Sequence, residues 1–405
     1  MTQLLTQRTI AVVKATIPAL AEHGLAITTA MYRRLFEDDH IRALFNHSNQ
    51  GDGGAQVHAL AGAILVYAQN IDDLGVLAPA VERIAQKHIG YHILPEHYPY
   101  VATALLGAIK EVLGEAATDE VLNAWGEAYW FLADILKARE AKLRQEIEAT
   151  NGGWIGWRAF EVIEKRKESA VITSFVLRPI DRRPVLRHKP GQYLTFRLNV
   201  PGQPTMKRNY SISCAPNDEH YRISVKREAA GKGGSRYLHD AVRVGDILEA
   251  TPPAGDFFLE DRPQRPILLL SGGVGLTPMV SMVEAIAAKH PGLETHFIHG
   301  TLNSDTHALD GHVRALAEQH GAISVSTFYN EPCPRDVAGE THDVTGMITI
   351  DWLKANTPLN EADIFLCGPK PFLRALVTGL ARAGISDTRI HYEFFGPADE
   401  SLAPN

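Results

Sequence analysis

Hydrophobic positions in the first third of the chain repeat with the period of an α-helix. Few stretches there alternate between apolar and polar residues as strands do. The pattern therefore predicts an all-α domain over residues 1–148, ending in the highly charged helix segment 139–148. Two helical stripes carry the prediction: Leu77, Val81, Ile84 and Ala85 form one, and Trp125, Ala128, Tyr129, Leu132 and Leu136 form the other.

The pattern changes at the turn Asn151-Gly152-Gly153-Trp154. Short alternating runs follow, and turns such as Pro190-Gly191 and Pro201-Gly202 separate them. This spacing predicts a small antiparallel β-barrel over residues 154–262. Its predicted strands include Val171–Leu177, Tyr193–Leu198 and Tyr221–Val225.

The hydrophobic pattern changes again after Arg262-Pro263, where continuous apolar runs alternate with helical stretches. Continuous apolar strands joined by crossover helices are typical of a parallel, doubly wound α/β sheet, which we predict over residues 263–405. The predicted strands are Ile267–Leu270, Thr295–His299, Ile323–Phe328 and Asp363–Leu366. A chain of 405 residues is long enough for three domains of ordinary size.

Composition narrows the classes of function. The chain is 45% hydrophobic and 21% charged, as globular proteins are, and its net charge of -7 argues against a nucleic-acid or anionic-membrane partner. No apolar run reaches the length of a membrane span. The three cysteines include no Cys-x-x-Cys pair, which excludes a cysteine-only metal site and favours a reducing compartment. We therefore expect a cytoplasmic protein.

The segment from Ile267 to Pro278 contains the strongest chemical signal. A buried-strand pattern runs into a glycine turn and then into an amphipathic helix, and backbone amides at such a turn can bind the phosphates of a nucleotide. A second glycine-rich, basic turn spans Gly231 to Ser235 and can hold a pyrophosphate in the same way.

The run Arg208-Asn209-Tyr210-Ser211 lies in the predicted barrel. Its arginine can grip a phosphate, its tyrosine offers a flat face to an aromatic ring, and its serine is a short donor, a combination that suits a flavin. Alone, these four residues are more typical of an ordinary surface strand. The neighbouring glycine-rich turns favour the flavin.

In the helical domain, His88 lies on the apolar stripe that contains Val81 and Ile84. A histidine there is more often a core residue, and His92 could pair with it at a metal only if a third ligand existed. A pocket with one amide and one phenol in an apolar wall would instead suit a haem. The residues expected to face His88 are Tyr32, Phe45, Gln56 and Leu60.

Residues 154–397 resemble the ferredoxin-reductase family of flavoproteins. The resemblance rests on the Arg-x-Tyr-Ser motif, the glycine turn, the Cys-Gly-Pro turn and the tail His391-Tyr-Glu-Phe-Phe-Gly-Pro397. It implies that Tyr193, Arg208, Asn209, Tyr210 and Ser211 contact FAD, and that Phe394, Phe395, Gly396 and Pro397 lie along its isoalloxazine. It also implies an NAD(P) pyrophosphate site at Gly273, Val274, Gly275, Leu276, Thr277 and Pro278, with Cys367, Gly368 and Pro369 near the nicotinamide. For Cys367 a role as a small core residue is the equal alternative.

The nicotinamide donor is expected to be NADH. NADPH carries a further phosphate, which needs a basic partner beyond the second strand of the sheet. The sequence has no lysine or arginine close behind that strand and has Asp305 instead.

The helical segment is similar to bacterial globins, and the order of domains resembles the flavohaemoglobin family, whose members are nitric oxide dioxygenases. The resemblance implies haem b with His88 as its proximal ligand, and electron flow from NAD(P)H through FAD to a haem that oxidises nitric oxide to nitrate with oxygen. It implies that Tyr32 and Gln56 are distal donors, that Phe45 and Leu60 press on the haem, that Tyr98 and Glu140 form a relay behind His88, and that Lys87 and Glu393 lie at the haem–flavin junction.

Other functions stay open. An oxygen carrier or sensor would leave the last two domains unexplained, and a reductase for an external acceptor would leave the first unexplained. A haem enzyme that reduces peroxides would share every residue named above. We expect a monomer whose partners are small molecules (oxygen, nitric oxide and NAD(P)H), and a lipid in the haem pocket stays open.

Overall fold

The computed structural model describes residues 4–45, 55–229, 231 and 233–395. The chain divides into two compact units. The first runs to Ala149 and also includes Gln203–Lys207, whereas the second contains Thr150–Gly202 and Arg208–Phe395. The predicted boundary at residues 262 and 263 falls inside the second unit and stays a prediction.

The first unit is helical, as predicted. Short 3₁₀ turns join several of its helices. The described helices are α1 (Gln7–Ala15), α2 (Ile17–Leu35), α3 (Asp39–Arg42), α4 (Ala55–Gln69), α5 (Ala78–Tyr91), α6 (Tyr98–Leu113) and α7 (Asp119–Ala149).

Both predicted stripes face the interior of this unit. Trp125 and Ala128 are buried, and Trp125 Nε1 donates to Thr16 Oγ1 at 3.2 Å. Val81 and Ile84 of α5 pack against a second cluster that includes Leu136 of α7. The stripes therefore set how α5 and α7 face each other.

The second unit begins with a six-stranded sheet in the order β4-β3-β6-β1-β2-β5, and its described pairings are antiparallel. The three predicted strands are present, within a few residues at their ends. Three more were not predicted as strands, because they are short or charged. One of them, a central strand of the sheet, has the sequence RAFEVIEKRK, and only two of its side chains are buried. The elements are β1 (Arg158–Lys167), β2 (Ile172–Pro179), β3 (Tyr193–Leu198), β4 (Met206–Ser211), β5 (Tyr221–Lys226), α8 (Gly234–Asp240) and β6 (Ile247–Ala250).

A parallel six-stranded sheet follows, in the order β10-β9-β8-β7-β11-β12. The four predicted strands form its centre, and the short edge strands were not predicted because they contain few apolar residues. The strands are β7 (Ile267–Gly272), β8 (Thr295–Thr301), β9 (Ile323–Tyr329), β10 (Val344–Thr345), β11 (Asp363–Cys367) and β12 (Ile390–Glu393). The helices are α9 (Leu276–Lys289), α10 (Asp310–Gln319), α11 (Ile350–Asn356) and α12 (Lys370–Arg382).

The strand order reverses beside β7. The chain moves from β7 to β8 and β9 on one side and later returns to place β11 on the other. In open parallel sheets a ligand crevice lies at such a reversal, outside the carboxyl ends of the strands. The fold therefore points to the glycine turn after β7.

No single helix in the described residues is long and apolar enough to cross a bilayer. Only α1 and α2 taken together, bent by 67° at their junction, reach the required length and composition.

A buried histidine joins the barrel to α9 within the second unit. His188 Nε2 lies 3.0 Å from the Cys214 carbonyl oxygen and 3.0 Å from Ser281 Oγ. Burial lowers the pKa of His188 to about 4, so its imidazole is neutral in the folded protein near neutral pH.

This shift predicts a loss of stability on acidification. The unfolded chain binds a proton at His188 below its ordinary pKa of 6.5, whereas the folded protein does so only near 4. The linked free energy of unfolding is therefore fully present above that range and falls by about 2 kcal/mol by pH 5. Urea unfolding of the full chain, followed by flavin fluorescence, should show a steeper pH dependence than in His188→Gln. The variant His290→Gln is the control, and equal slopes in the wild type and His188→Gln would contradict the prediction.

Candidate functional site

A buried carboxylate organises the end of α5. Glu140 of α7 is fully buried, and its Oε1 accepts hydrogen bonds from His88 Nδ1 at 2.6 Å and from the Tyr98 hydroxyl at 2.5 Å. The His88 Nδ1 and the Tyr98 oxygen are themselves 3.1 Å apart. The structure thus brings together the three residues that were assigned to the proximal side of the haem.

The carboxylate orients both partners. His88 Nδ1 faces Glu140 Oε1, and no hydrogen bond reaches Nε2 from the described residues. Burial, with the Glu140 hydrogen bond, raises the pKa of Tyr98, so its hydroxyl remains a donor. A histidine ring oriented by a carboxylate at one nitrogen, with the other nitrogen turned away, is the usual arrangement of a metal-binding histidine.

The second oxygen of Glu140 has a different environment. Oε2 is buried and accepts no hydrogen bond from the part of the chain described, and the Arg144 guanidinium lies 3.7 Å away. Arg144 also donates to the Ile93 carbonyl. A cation therefore lies beside the buried carboxylate, one turn further along α7.

The end of α5 holds His88 in place. His92 adopts a left-handed backbone conformation (φ 55°), and the Ile93 amide then donates to the His88 carbonyl at 2.8 Å. This geometry is typical of a helix C-terminus. His92 therefore closes the helix.

An aromatic cluster contains two of the residues predicted for the opposite wall. The rings of Tyr32 and Phe45 meet edge to face at 5.9 Å between centroids. Phe36, which was not predicted, lies 5.4 Å from Tyr32 and 5.2 Å from Phe45. Its position one helical turn after Tyr32 was the available signal.

The other predicted residues of this unit are placed less completely. Leu60 is half-buried on α4 and packs against the main core cluster. Gln56 belongs to α4, but its side chain lies outside the described residues. Lys87 precedes His88 on α5 and is half-buried.

The Arg-x-Tyr-Ser motif forms β4, next to β3 in the barrel sheet. Because side chains alternate along a strand, Arg208 and Tyr210 project from one face. The Tyr210 ring lies 5.8 Å from Phe196, and burial raises the pKa of its hydroxyl. On the other face Ser211 is buried, and Asn209 accepts a hydrogen bond from Thr195 Oγ1 at 2.9 Å.

Tyr193 lies at the start of β3, where its backbone pairs with Ala254. Its ring packs on Gly255, whose φ is 116° and where a Cβ atom would lie 3.0 Å from the ring. A side chain at Gly255 would therefore displace Tyr193. The turn at Gly231 leads into α8, with Gly233 as its N-cap.

The glycine turn after β7, which is the predicted nucleotide turn, depends on a close contact between two backbone segments. Gly273–Gly275 forms a 3₁₀ turn between β7 and α9. A Cβ atom at Gly275 would lie 2.1 Å from the Cys367 carbonyl oxygen and 2.8 Å from the Gly368 nitrogen. Only glycine permits this approach. The remaining residues predicted here, Val274, Leu276, Thr277 and Pro278, continue the turn into the first residues of α9.

The tail meets the same edge of the sheet. Cys367 at the end of β11 pairs with Ser271 of β7 on one side and with Glu393 of β12 on the other. The glycine turn, the Cys367–Pro369 turn and Glu393 therefore converge. Burial, and then the Glu393 charge, raises the pKa of Cys367 well above its ordinary value, so the thiol stays protonated.

The aromatic residues after Glu393 differ in exposure. Phe394 packs against a core cluster of the second unit, whereas the Phe395 side chain is exposed. Gly396 and Pro397 lie outside the described residues.

The fold brings one residue from the loop after β9 next to the loop after β8. No basic residue follows Asp305 closely in sequence, but Arg335 forms an ion pair with it. The pairing arises because β8 and β9 are adjacent parallel strands, so the loops that follow them meet. The sequence after β8 could not show this arginine, which reaches Asp305 only in the folded chain.

Comparison with known families divides the chain in the same order. Residues 29–136 match the globin family, residues 159–259 the oxidoreductase FAD-binding domain, and residues 269–378 the oxidoreductase NAD-binding domain.

Full-length relatives are similar across the whole chain. A flavohemoprotein of Xylella fastidiosa (strain 9a5c) is 60% identical over 98% of both chains. A flavohemoprotein of Rhizobium meliloti (strain 1021) is 44% identical over 97% of this chain and 99% of its own.

Solved structures show the same similarity. The flavohemoglobin of Malassezia yamatoensis, solved with bound FAD and heme, covers 97% of this chain and 100% of its own at a TM-score of 0.85 and 28% identity. The FAD/NAD-binding domain of nitric oxide dioxygenase from Vibrio cholerae O1 biovar El Tor covers 59% of this chain and 99% of its own, at a TM-score of 0.54 and 36% identity.

Gly275→Ala tests the backbone contact at the nucleotide turn. The added Cβ atom would force the turn away from Cys367, so we expect the dissociation constant for the nicotinamide nucleotide to rise at least about tenfold, by roughly 1.4 kcal/mol. Titration followed by flavin absorbance measures it. Gly292→Ala is the control because nothing lies within 4 Å of its added Cβ. Equal nucleotide affinity in the wild type and Gly275→Ala would refute the assignment.

Proposed function

Because the chain belongs to the flavohemoprotein family, in which a globin domain precedes oxidoreductase FAD- and NAD-binding domains, we propose that it is an NAD(P)H-dependent nitric oxide dioxygenase. It is an oxidoreductase whose cofactors are haem, FAD and NAD. The dioxygenase activity is the proposed part. The observation that carries it is the buried Glu140 bonded to His88, combined with a reductase in the same chain.

The residues of the helical unit fit a haem. Nδ1 of His88 is engaged by Glu140, which leaves Nε2 for the iron. Tyr32 would contribute a phenol to the distal side, and Gln56 is proposed as its partner. When bound, the flavin accepts hydride and releases single electrons, and the haem supplies the iron at which oxygen and nitric oxide react.

Glu140 and Tyr98 distinguish such an enzyme from an oxygen carrier. A carboxylate that accepts the imidazole N–H increases electron donation from His88 and stabilises oxidised iron. Tyr98 donates to the same oxygen and holds the carboxylate in line. A carrier needs neither this donation nor a built-in source of electrons.

The residues of the second unit fit the two nucleotides. Arg208 and Tyr210, projecting from one face of β4, would bind the phosphate and ring system of FAD, with Tyr193 beside them. The turn at Gly273 to Pro278 would bind the NAD(P) pyrophosphate at the start of α9. Lys87 and Glu393 are proposed to tune the potentials of the haem and the flavin.

NADH is the proposed donor. An acidic side chain beyond the second strand accepts hydrogen bonds from the ribose hydroxyls of NADH. NADPH instead needs an arginine there that can bind its additional phosphate. Arg335 reaches this loop from the one after β9, but its charge is paired with that of Asp305. A phosphate placed there would meet the carboxylate of that ion pair.

A peroxide-reducing enzyme is the second candidate, since strong electron donation by His88 also favours O–O bond cleavage. Comparing turnover with peroxide and with nitric oxide separates the two. The monomeric state and the cytoplasmic location stay predictions, and a lipid in the haem pocket stays open.

The activity is tested with a nitric oxide electrode. In aerobic buffer the purified protein loaded with haem and FAD should remove nitric oxide with NADH, form nitrate, and work less efficiently with NADPH. Nitric oxide loss that is no faster with NADH than without it would refute the proposal. Anaerobic NADH should reduce the haem in the same preparation, which tests electron transfer independently of nitric oxide.

His88→Ala tests the iron ligand. We expect the variant to lose haem, because no other residue in the proximal cluster offers a free imidazole nitrogen, while it keeps FAD and NADH-dependent ferricyanide reduction. Absorbance spectra measure both cofactors. His58→Ala, at an exposed position on α4, is the control and should keep its haem. Full haem content in His88→Ala would show that the ligand is misassigned.

A further inference from the structure

One charged residue interrupts the apolar part of α9, the helix that starts at the nucleotide turn. Between Leu276 and Ala288 the only charged residue in the sequence is Glu284. Nearly all of its neighbours on the helix are buried, and its own side chain is 14% exposed. A carboxylate in such surroundings is costly unless donors compensate it.

Three donors compensate Glu284, and they come from different parts of the second unit. Arg222 of β5 donates to Oε1 at 2.6 Å, and the Ala215 amide donates to Oε2 at 2.7 Å. His312 Nε2 of α10 lies 2.7 Å from Oε1. Burial acts to raise the pKa of Glu284, but His312, Arg222 and Ala215 together lower it. The carboxylate is therefore ionised and held from both sides.

A second polar contact lies one turn earlier on the same helix. Ser281 Oγ donates to the Cys214 carbonyl at 2.7 Å, and His188 contacts both groups. Two consecutive residues therefore bind α9: Cys214 contacts Ser281, and Ala215 contacts Glu284. Arg222 Nε also donates to the Ser213 carbonyl at 2.9 Å, which fixes the course of this segment.

These contacts connect the two cofactor motifs directly. Ser213–Ala215 begins two residues after Ser211, the last residue of the flavin motif on β4. Ser281 lies three residues after Pro278, the last residue of the nucleotide turn. The two motifs are therefore linked by one set of buried hydrogen bonds, those between Ser213–Ala215 and α9.

We propose that Glu284 is a positioning residue for hydride transfer, which sets the distance and angle between the nicotinamide and the flavin through Arg222 and Ala215. The proposal rests on the NADH-to-FAD step of the proposed function and is independent of nitric oxide. Hydride transfer needs reacting atoms about 3–3.5 Å apart, and a 1 Å displacement can cost roughly a hundredfold in rate.

Apolar contacts keep the barrel and the parallel sheet together without Glu284. Phe257, after the last barrel strand β6, and Phe365 of β11 meet at 5.9 Å between ring centroids, and Ile172 of β2 packs in the same core cluster as α9. Apolar contact is not directional, whereas hydrogen bonds to a carboxylate are. We therefore assign cohesion to the apolar contacts and orientation to Glu284.

The test uses Glu284→Gln in the full chain loaded with haem and FAD. Anaerobic stopped-flow mixing with NADH should show flavin reduction slowed about ten- to a hundredfold, with the dissociation constant for NADH changed less than threefold. The charge-transfer absorbance of the reduced flavin with NAD⁺ should weaken, because it depends on ring stacking. Flavin and haem contents should match the wild type. Glu318→Gln, at an exposed position on α10, is the matched control and should reduce flavin at the wild-type rate.

A double variant separates a positioning effect on flavin reduction from a general loss of stability. Arg222→Gln should slow flavin reduction like Glu284→Gln, and the double variant should be no slower than the worse single variant, because both disrupt the same Arg222–Glu284 contact. If Glu284→Gln does not fold, His312→Gln replaces it, since that side chain is 39% exposed, and it should slow flavin reduction at least about threefold. Wild-type flavin reduction in the folded variant, or a loss explained entirely by weaker NADH or FAD binding, would overturn the proposal.

Discussion

Glu140 is a carboxylate without solvent exposure, and its position is tenable because His88 and Tyr98 both donate to the same oxygen. Desolvating a carboxylate costs several kcal/mol unless hydrogen bonds replace water. That requirement constrains three helices at once, because the acceptor is on α7 and the donors are on α5 and at the start of α6. The orientation of the His88 ring, and with it the direction of Nε2, follows from this requirement.

The second unit meets a different constraint at its own site. There the contact is between backbones, since Gly275 approaches the Cys367 carbonyl so closely that no side chain fits. The close approach joins the turns after β7 and β11, which are separated by almost a hundred residues in sequence but lie at the strand reversal. A helix N-terminus is thereby left facing the crevice, where its amides can meet an anion.

Hydrophobic periodicity predicted the helices and strands that are determined by the spacing of apolar side chains along their own sequence. The stripes on α5 and α7 and the buried strands around β7 follow from side-chain spacing, so their type was predictable. The charged strand β1 was not, because its partners β2 and β6 supply the stability that its own sequence does not indicate. Its two buried residues, Phe160 and Val162, are too few to show a period.

Residues whose role depends on distant partners were visible only by resemblance, or not at all. Glu140 lies in the charged run 139–148, where periodicity alone reads it as a solvated charge. Arg335 reaches Asp305 only because two parallel strands end side by side. The tail after Phe395 was assigned from resemblance alone and lies outside the described residues, as does the Gln56 side chain.

Glu140 and Glu284 follow one rule in the two units. Each is a carboxylate placed among buried neighbours, and each is satisfied by donors from other segments of its unit. An apolar side chain of similar size would cost less to bury at either position. Apolar packing alone, however, would leave the donor segments free to shift, whereas a buried carboxylate accepts its donors only in a narrow range of distance and angle. Both carboxylates therefore fix geometry at a cost in stability, at the proposed haem ligand in one unit and between the two proposed nucleotide motifs in the other.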